Sequence, residues 1–166
     1  GTQDCIVFGS GYLANLAIAP ALLGAGDLIL VDELAHACIH AGAELSRAEI
    51  RKFRHNDLEH VREILARERE QHRNTMIMTD GVFSMDGDFA PLPELMALAE
   101  EFDSWTLVDD AHAVGVVGDG KGSSAHFLPA AIPPLQMGTL SKAGGSYGGY
   151  LCASHNVCEL LRTRAR

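Results

Sequence analysis

The feature that most limits what this chain can fold into is an alternation. Short apolar runs recur along it, separated by longer stretches whose apolar residues fall at helical spacing. The runs at Cys5–Phe8, Leu28–Val31, Ile50–Phe53, Thr75–Thr79, Trp105–Val108, Leu135–Gly138 and Gly149–Cys152 are predicted strands. The stretches at Leu13–Leu23, His36–Leu45, Leu58–Arg73, Leu92–Phe102 and Asn156–Arg164 are predicted helices. Asn56-Asp57 and Pro91 supply helix-start signals, and the charged stretch Glu59–Arg73 suits a helix with one face in water. Strands that are apolar throughout and alternate with helices imply an α/β fold: a three-layer sandwich with a mostly parallel sheet covered on both faces. In such sheets ligands collect at the carboxyl ends of the strands. Functional residues are therefore sought there.

Composition narrows the function classes. The 166 residues suffice for one domain, and 47% apolar with 21% charged residues is the balance of a globular protein. A net charge of −9 argues against a nucleic-acid partner. The basic cluster Arg162–Arg166 fits a solvated helix face. No apolar run reaches the roughly 20 residues of a membrane span and no signal segment opens the chain, so a cytoplasmic protein with no membrane partner is expected. Cys5, Cys38, Cys152 and Cys158 form no C-x-x-C pair, which points to reduced thiols and to no metal site. Both ends are abrupt, as in a piece of a longer protein.

Several loops carry possible chemistry. Phe8-Gly-Ser-Gly-Tyr-Leu-Ala-Asn15 follows a strand and opens a helix; it is either a tight turn or an anion cup built from backbone N–H groups at the helix N-terminus. Trp105-Thr-Leu-Val-Asp-Asp-Ala-His112 is an apolar strand that ends in two carboxylates and an imidazole. Either Asp109 and Asp110 cap a turn, or one of them meets a cation, since charge at the end of an apolar strand is costly alone. Gly115–Gly122 nearly spells a phosphate-binding P-loop, but Gly122 stands where a Ser or Thr is needed and Asp119 would sit in the cradle. Gly144-Gly-Ser-Tyr-Gly148 matches a nucleophile elbow, yet no acid lies between Ser146 and the only downstream histidine, His155. The acidic stretch Thr79–Asp88 fits a turn better than a metal loop. Gly138-Thr-Leu-Ser-Lys-Ala-Gly-Gly145 places Lys142 between hydroxyls and glycines. An anion cup at Gly11, a carboxylate at Asp109, an imidazole at His112 and an amine at Lys142 together suit one ligand, pyridoxal 5′-phosphate.

Six ordered blocks then carry a resemblance across nearly the whole chain: Ser10–Asn15, Asp32–His36, Phe53–Asp57, Val82–Asp88, Val108–Ala113 and Gly138–Lys142. The sequence resembles the α-oxoamine synthases, fold-type I pyridoxal-phosphate enzymes that join an amino acid to an acyl-CoA or acyl-carrier thioester with loss of CO₂. The resemblance implies a homodimer, with residues 1–166 as the central part of the cofactor-binding large domain, lacking an N-terminal arm and a C-terminal small domain. It implies that Lys142 bonds to the cofactor aldehyde and later moves the proton at the amino-acid α-carbon. Asp109 would face the pyridine nitrogen, and His36 would stack on the ring. His112 and Ser84 would lie toward the phenolic oxygen. The Gly11 and Tyr12 backbone and the Thr139 hydroxyl would hold the phosphate. Three positions depart from the family: Cys38 stands where serine is frequent, His40 where an acid is frequent, and Asp80 where glutamate is common. A non-catalytic folding or dimerisation core is the competing expectation for a chain with such ends.

Overall fold

A computed structural model describes residues 2–127, 129 and 131–165. Seven strands form a single sheet: β1 (Asp4–Phe8), β2 (Leu28–Asp32), β3 (Glu49–Phe53), β4 (Thr75–Asp80), β5 (Trp105–Asp109), β6 (Leu135–Thr139) and β7 (Gly149–Ala153). Five helices connect or follow them: α1 (Gly11–Leu22), α2 (Ala37–Leu45), α3 (Leu58–Glu68), α4 (Leu92–Glu101) and α5 (His155–Arg164). The strand order is β1-β7-β6-β5-β4-β2-β3. Only the pairings of β7 with β1 and with β6 are antiparallel. The mostly parallel α/β sheet expected from the alternation is what forms.

The three layers follow from the alternation of side chains along each strand. In β2, Ile29 and Val31 point into a cluster with Ala14 and Ile18 of α1, Ile39 of α2 and Leu161 of α5. Leu28 and Leu30 point to the opposite face, onto Val61, Ile64 and Leu65 of α3 and Leu95 and Leu98 of α4. Every residue of β2 and β4 is buried, which is why these strands show as unbroken apolar runs. Burying each such Leu, Ile or Val stabilises the fold by about 1.5–3 kcal/mol before entropy is subtracted. Among the described residues, no helix is long and apolar enough to cross a membrane.

Two close approaches fix the corner where α1 begins. A Cβ at Gly42 of α2 would lie 2.2 Å from the carbonyl oxygen of Asn15, so only glycine lets α2 pack this tightly on α1. A Cβ at Gly149 would lie 2.6 Å from the backbone of Ser10 and Gly11, so β7 likewise passes directly under the start of α1. Ser10 caps that helix, its hydroxyl accepting from the N–H of Leu13.

One predicted helix is shorter than its periodicity implies. The helix expected over Leu58–Arg73 ends at Glu68, and a 3₁₀ turn over Arg69–Gln71 follows. Side chains at this end find partners off the helix axis: His72 Nδ1 lies 2.9 Å from Glu68 O, and Arg69 donates to His72 O and, past the end of α4, to the carbonyls of Phe102 and Asp103. These partners favour leaving the helix over extending it. His36, predicted as the first helical residue, is instead the N-cap of α2, its Nδ1 accepting from the Cys38 N–H.

Candidate active site

Three neighbouring parallel strands, β2, β4 and β5, each end in an aspartate: Asp32, Asp80 and Asp109. The last two stand side by side in register. Above them lies a cavity of about 250 Å³ whose wall comes from four loops and helix starts: Gly11 and Tyr12 of α1, His36 and Cys38 of α2, Asp109 and His112 after β5, and Thr139 and Lys142 after β6. Seven of the eight residues predicted for the site thus converge. The eighth, Ser84, does not line the cavity; it lies in an exposed turn closed by the Phe83 N–H to Asp88 O and Gly87 N–H to Phe83 O bonds. That turn is the fold adopted by the acidic Thr79–Asp88 stretch.

Asp109 is 4% exposed. One carboxylate oxygen accepts from Asn15 Nδ2 at 2.7 Å and the other from the Ala111 N–H at 2.9 Å. Burial raises its pKa, opposed by these two donors and then by the positive charge of Lys142. Among the described residues, no cation forms an ion pair with it. Asp80 is 3% exposed, and burial followed by the charge of Asp109 pushes it to about 7, although the His36 N–H donates to it at 2.8 Å. Two buried carboxylates therefore share a cavity with too little positive charge. Such a site favours a ligand that brings a cationic N–H.

Lys142 lies on the exposed loop after β6, and its Nζ donates to His112 Nε2 at 2.7 Å. Burial lowers the pKa of His112, and the lysine charge lowers it further, so the imidazole is held as an acceptor. Thr139 is buried beneath the start of α1. Its hydroxyl donates to Gly148 O at 2.9 Å and lies 2.9 Å from the Ser141 hydroxyl. A Cβ on Gly11 would come within 3.3 Å of that hydroxyl, so the helix N-terminus and the threonine face one small space. Helix N–H groups beside a hydroxyl form an anion cup.

The sequence alone gives Asn15, Cys38 and Asp80 no site role. Its one signal for Asn15 is a lone amide among the apolar residues of Leu13–Leu23. Its partner Asp109 is 94 residues away, which no local pattern reveals.

The comparisons with known proteins agree with this arrangement. A family profile described as aminotransferase class I and II matches residues 1–166. The chain is 66% identical to the 8-amino-7-oxononanoate synthase of Maricaulis maris and 57% identical to that of Beijerinckia indica, each over the full chain but only 42% and 43% of the relative. It thus spans about two fifths of the length of these relatives. Among solved structures, the serine palmitoyltransferase of S. paucimobilis with a bound PLP–myriocin aldimine superposes with a TM-score of 0.92 at 36% identity, over 99% of this chain and 41% of that one. The 8-amino-7-oxononanoate synthase of Francisella tularensis superposes with a TM-score of 0.84 at 30% identity, over 99% and 47%. The resemblance to α-oxoamine synthases noted in the sequence is borne out, and the chain belongs to the aminotransferase class I and II family.

Proposed function

We propose that the chain is the central part of the large domain of an 8-amino-7-oxononanoate synthase, a pyridoxal-phosphate-dependent acyltransferase that condenses alanine with a pimeloyl thioester with loss of CO₂, working as a cytoplasmic homodimer. The observation that carries this reading is the buried Asp109 carboxylate, clamped by Asn15 but unpaired, across one cavity from the amine of Lys142. The residues present fit the cofactor: Asp109 offers an anion to a pyridinium N–H, the Gly11 and Tyr12 N–H groups offer donors to a phosphate, and the Thr139 hydroxyl would join them by turning its proton from Gly148 O. When bound, the cofactor supplies an electron sink for the negative charge left on the substrate α-carbon.

The chain's own groups then divide the work. Asp109 would keep the ring nitrogen protonated, an attraction that its burial strengthens. His36, at the start of α2, would lie against the ring. His112 orients the phenolic side and accepts from Lys142 while the lysine is free. Ser84 can join it only from the exposed turn beside the cavity. Lys142 would hold the cofactor through its amine, and that amine, when free, would be the group placed to move the substrate α-proton. The preference for this member over serine palmitoyltransferase rests on the 57–66% identity to chains named 8-amino-7-oxononanoate synthase; the solved structures do not separate the two, at 36–39% for serine palmitoyltransferases and 30% for the Francisella tularensis 8-amino-7-oxononanoate synthase.

The test uses the full-length parent protein. Borohydride reduction in the presence of pyridoxal phosphate should fix the cofactor on Lys142, read by peptide mass spectrometry; labelling at another lysine overturns the assignment. Mass spectrometry of products from competing alanine and glycine, with pimeloyl and acetyl thioesters, should give the alanine–pimeloyl product. A glycine–acetyl product would instead make the parent a glycine C-acetyltransferase.

A further inference from the structure

The wall of the cavity hides a second line of contacts. Asn15 is fully buried, Cys38 nearly so, and neither has an assigned role. Asn15 Nδ2 donates to Asp109 Oδ2 at 2.7 Å and to Cys38 Sγ at 3.1 Å, which uses both protons of its amide. Cys38 Sγ in turn lies 2.8 Å from His36 Nδ1. The direction of the chain of bonds is fixed from the Asp109 end. A carboxylate only accepts, so Asn15 must turn its NH₂ toward it, and the Asn15 carbonyl oxygen is left buried without a partner. The sulfur, already accepting from Asn15, has its S–H free for His36 Nδ1. Burial holds the thiol at about 11, so that proton is retained. His36 Nδ1 also accepts from the Cys38 N–H at 3.3 Å. Nδ1 has one lone pair, held by the S–H at 2.8 Å and only weakly shared by the N–H at 3.3 Å, so the ring proton belongs on Nε2.

The geometry points to Asn15 and Cys38 as positioning residues that tie Asp109 to His36, fixing the imidazole in its Nε2–H tautomer and holding its plane over the cavity. This rests on the cofactor reading for its catalytic consequence, but not for the tautomer. The unpartnered Asn15 oxygen is the independent sign that the amide is oriented against its own hydrogen-bonding interest. A buried acceptor left open is costly, and is tolerated where the other end of the amide is needed. Cys38→Ala removes the S–H and the acceptor for Asn15 together. Cys38→Ser restores both through a hydroxyl, which can accept from Asn15 and donate to His36.

The experiment takes the full-length parent, labelled with ¹⁵N histidine, freed of cofactor, and compares wild type, Cys38→Ala and Cys38→Ser. The His36 ring signals are assigned by their loss in His36→Gln. The wild type should show a single Nε2–H tautomer, Cys38→Ala a mixture, and Cys38→Ser the single tautomer again. In the loaded enzyme kcat should fall about tenfold in Cys38→Ala, the scale of one orienting hydrogen bond, and recover in Cys38→Ser. A single Nε2–H tautomer in Cys38→Ala, or a mixture already present in the wild type, overturns the inference. Asn15→Leu gives a second route: it should mix the tautomer with Cys38 untouched, and an unchanged tautomer there overturns the link to Asp109. If the tautomer follows these variants while borohydride labels a lysine other than Lys142, the cofactor reading falls and the positioning role stands.

Discussion

Two aspartates at the ends of neighbouring parallel strands have opposite surroundings. Asp32, at the end of β2, is fully buried and fully answered: His55 Nδ1 lies 3.0 Å from one oxygen, and the Leu34 and Asn56 N–H groups donate to the two oxygens. His55 also reaches Asp88 at 2.7 Å, so one imidazole spans two acids. Asp109, at the end of β5, is as deeply placed yet meets only an amide and one N–H, with a second raised carboxyl, Asp80, beside it. The first corner is complete within the chain. The second is short of a positive charge. A fold can close its own ion pairs, so a corner left open in the same sheet marks where a ligand completes the structure.

The contrast makes sharp predictions. The largest concerns Asp109→Asn in the full-length parent: kcat/KM should fall on the order of 10³-fold, about 4 kcal/mol, because the ring nitrogen loses its counter-charge. The same substitution should leave the cofactor-free protein as stable or more stable in urea titrations, since it removes an unpaired buried charge and Asn15 can turn its open carbonyl oxygen to the new NH₂. A large loss of apo stability would mean that Asp109 is a structural acid like Asp32. Next in size is Asp32→Asn. It should cost about 3 kcal/mol of stability, since it breaks a buried pair and turns an NH₂ toward existing donors, while kcat of the folded fraction stays near wild type. Asp80→Asn comes third. Raising a carboxyl from 3.8 to about 7 corresponds to about 4 kcal/mol at full ionisation, and water reaching the cavity reduces that to about 2 kcal/mol. Because the folded pKa is raised, the unfavourable charge is absent below pH 4 and complete above 7. The stabilisation by Asp80→Asn should therefore be seen at pH 8 and vanish near pH 4.

The same contrast shows what was legible in the sequence. Strands buried on both faces leave continuous apolar runs, so β2, β4 and β5 and the sheet they form could be read directly. The end of α3 could not, because the groups that stop it include the carbonyls of Phe102 and Asp103, distant in sequence. In the site, Lys142, Asp109, His112 and Gly11 stand out because strand ends and glycine turns gather ligands, His36, Tyr12 and Thr139 follow from the resemblance, and the cavity joins all seven. Ser84 stands apart from that wall. Asn15 and Cys38 stayed unassigned because their meaning lies in whom they touch across the fold. The His55 corner is equally hidden, because the partners of His55, Asp32 and Asp88, lie far from it in sequence, although it holds the loop that carries Ser84.

The smallest effect tests that closed corner through pH. Burial opposes a charge on His55, but hydrogen bonds and attraction from Asp32 and Asp88 outweigh it, so its pKa stands above the ordinary 6.5. A raised folded pKa means that the folded state holds the proton more tightly than the unfolded chain does. The resulting stability is fully present below about pH 6.5, where both states are protonated, and is lost as pH rises through the folded value. His55→Gln keeps a polar side chain but removes this proton linkage. The difference in unfolding free energy between wild type and His55→Gln should therefore be larger at pH 6 than at pH 8.5, by about 1 kcal/mol, the size of a partly exposed charged hydrogen bond. Comparing the two proteins at each pH cancels other titrations, such as that of His72 against Glu49. A difference that is flat with pH would show that His55 acts as a neutral spacer. Asp32 would then be as short of positive charge as Asp109, and the two corners could no longer be told apart by their electrostatics.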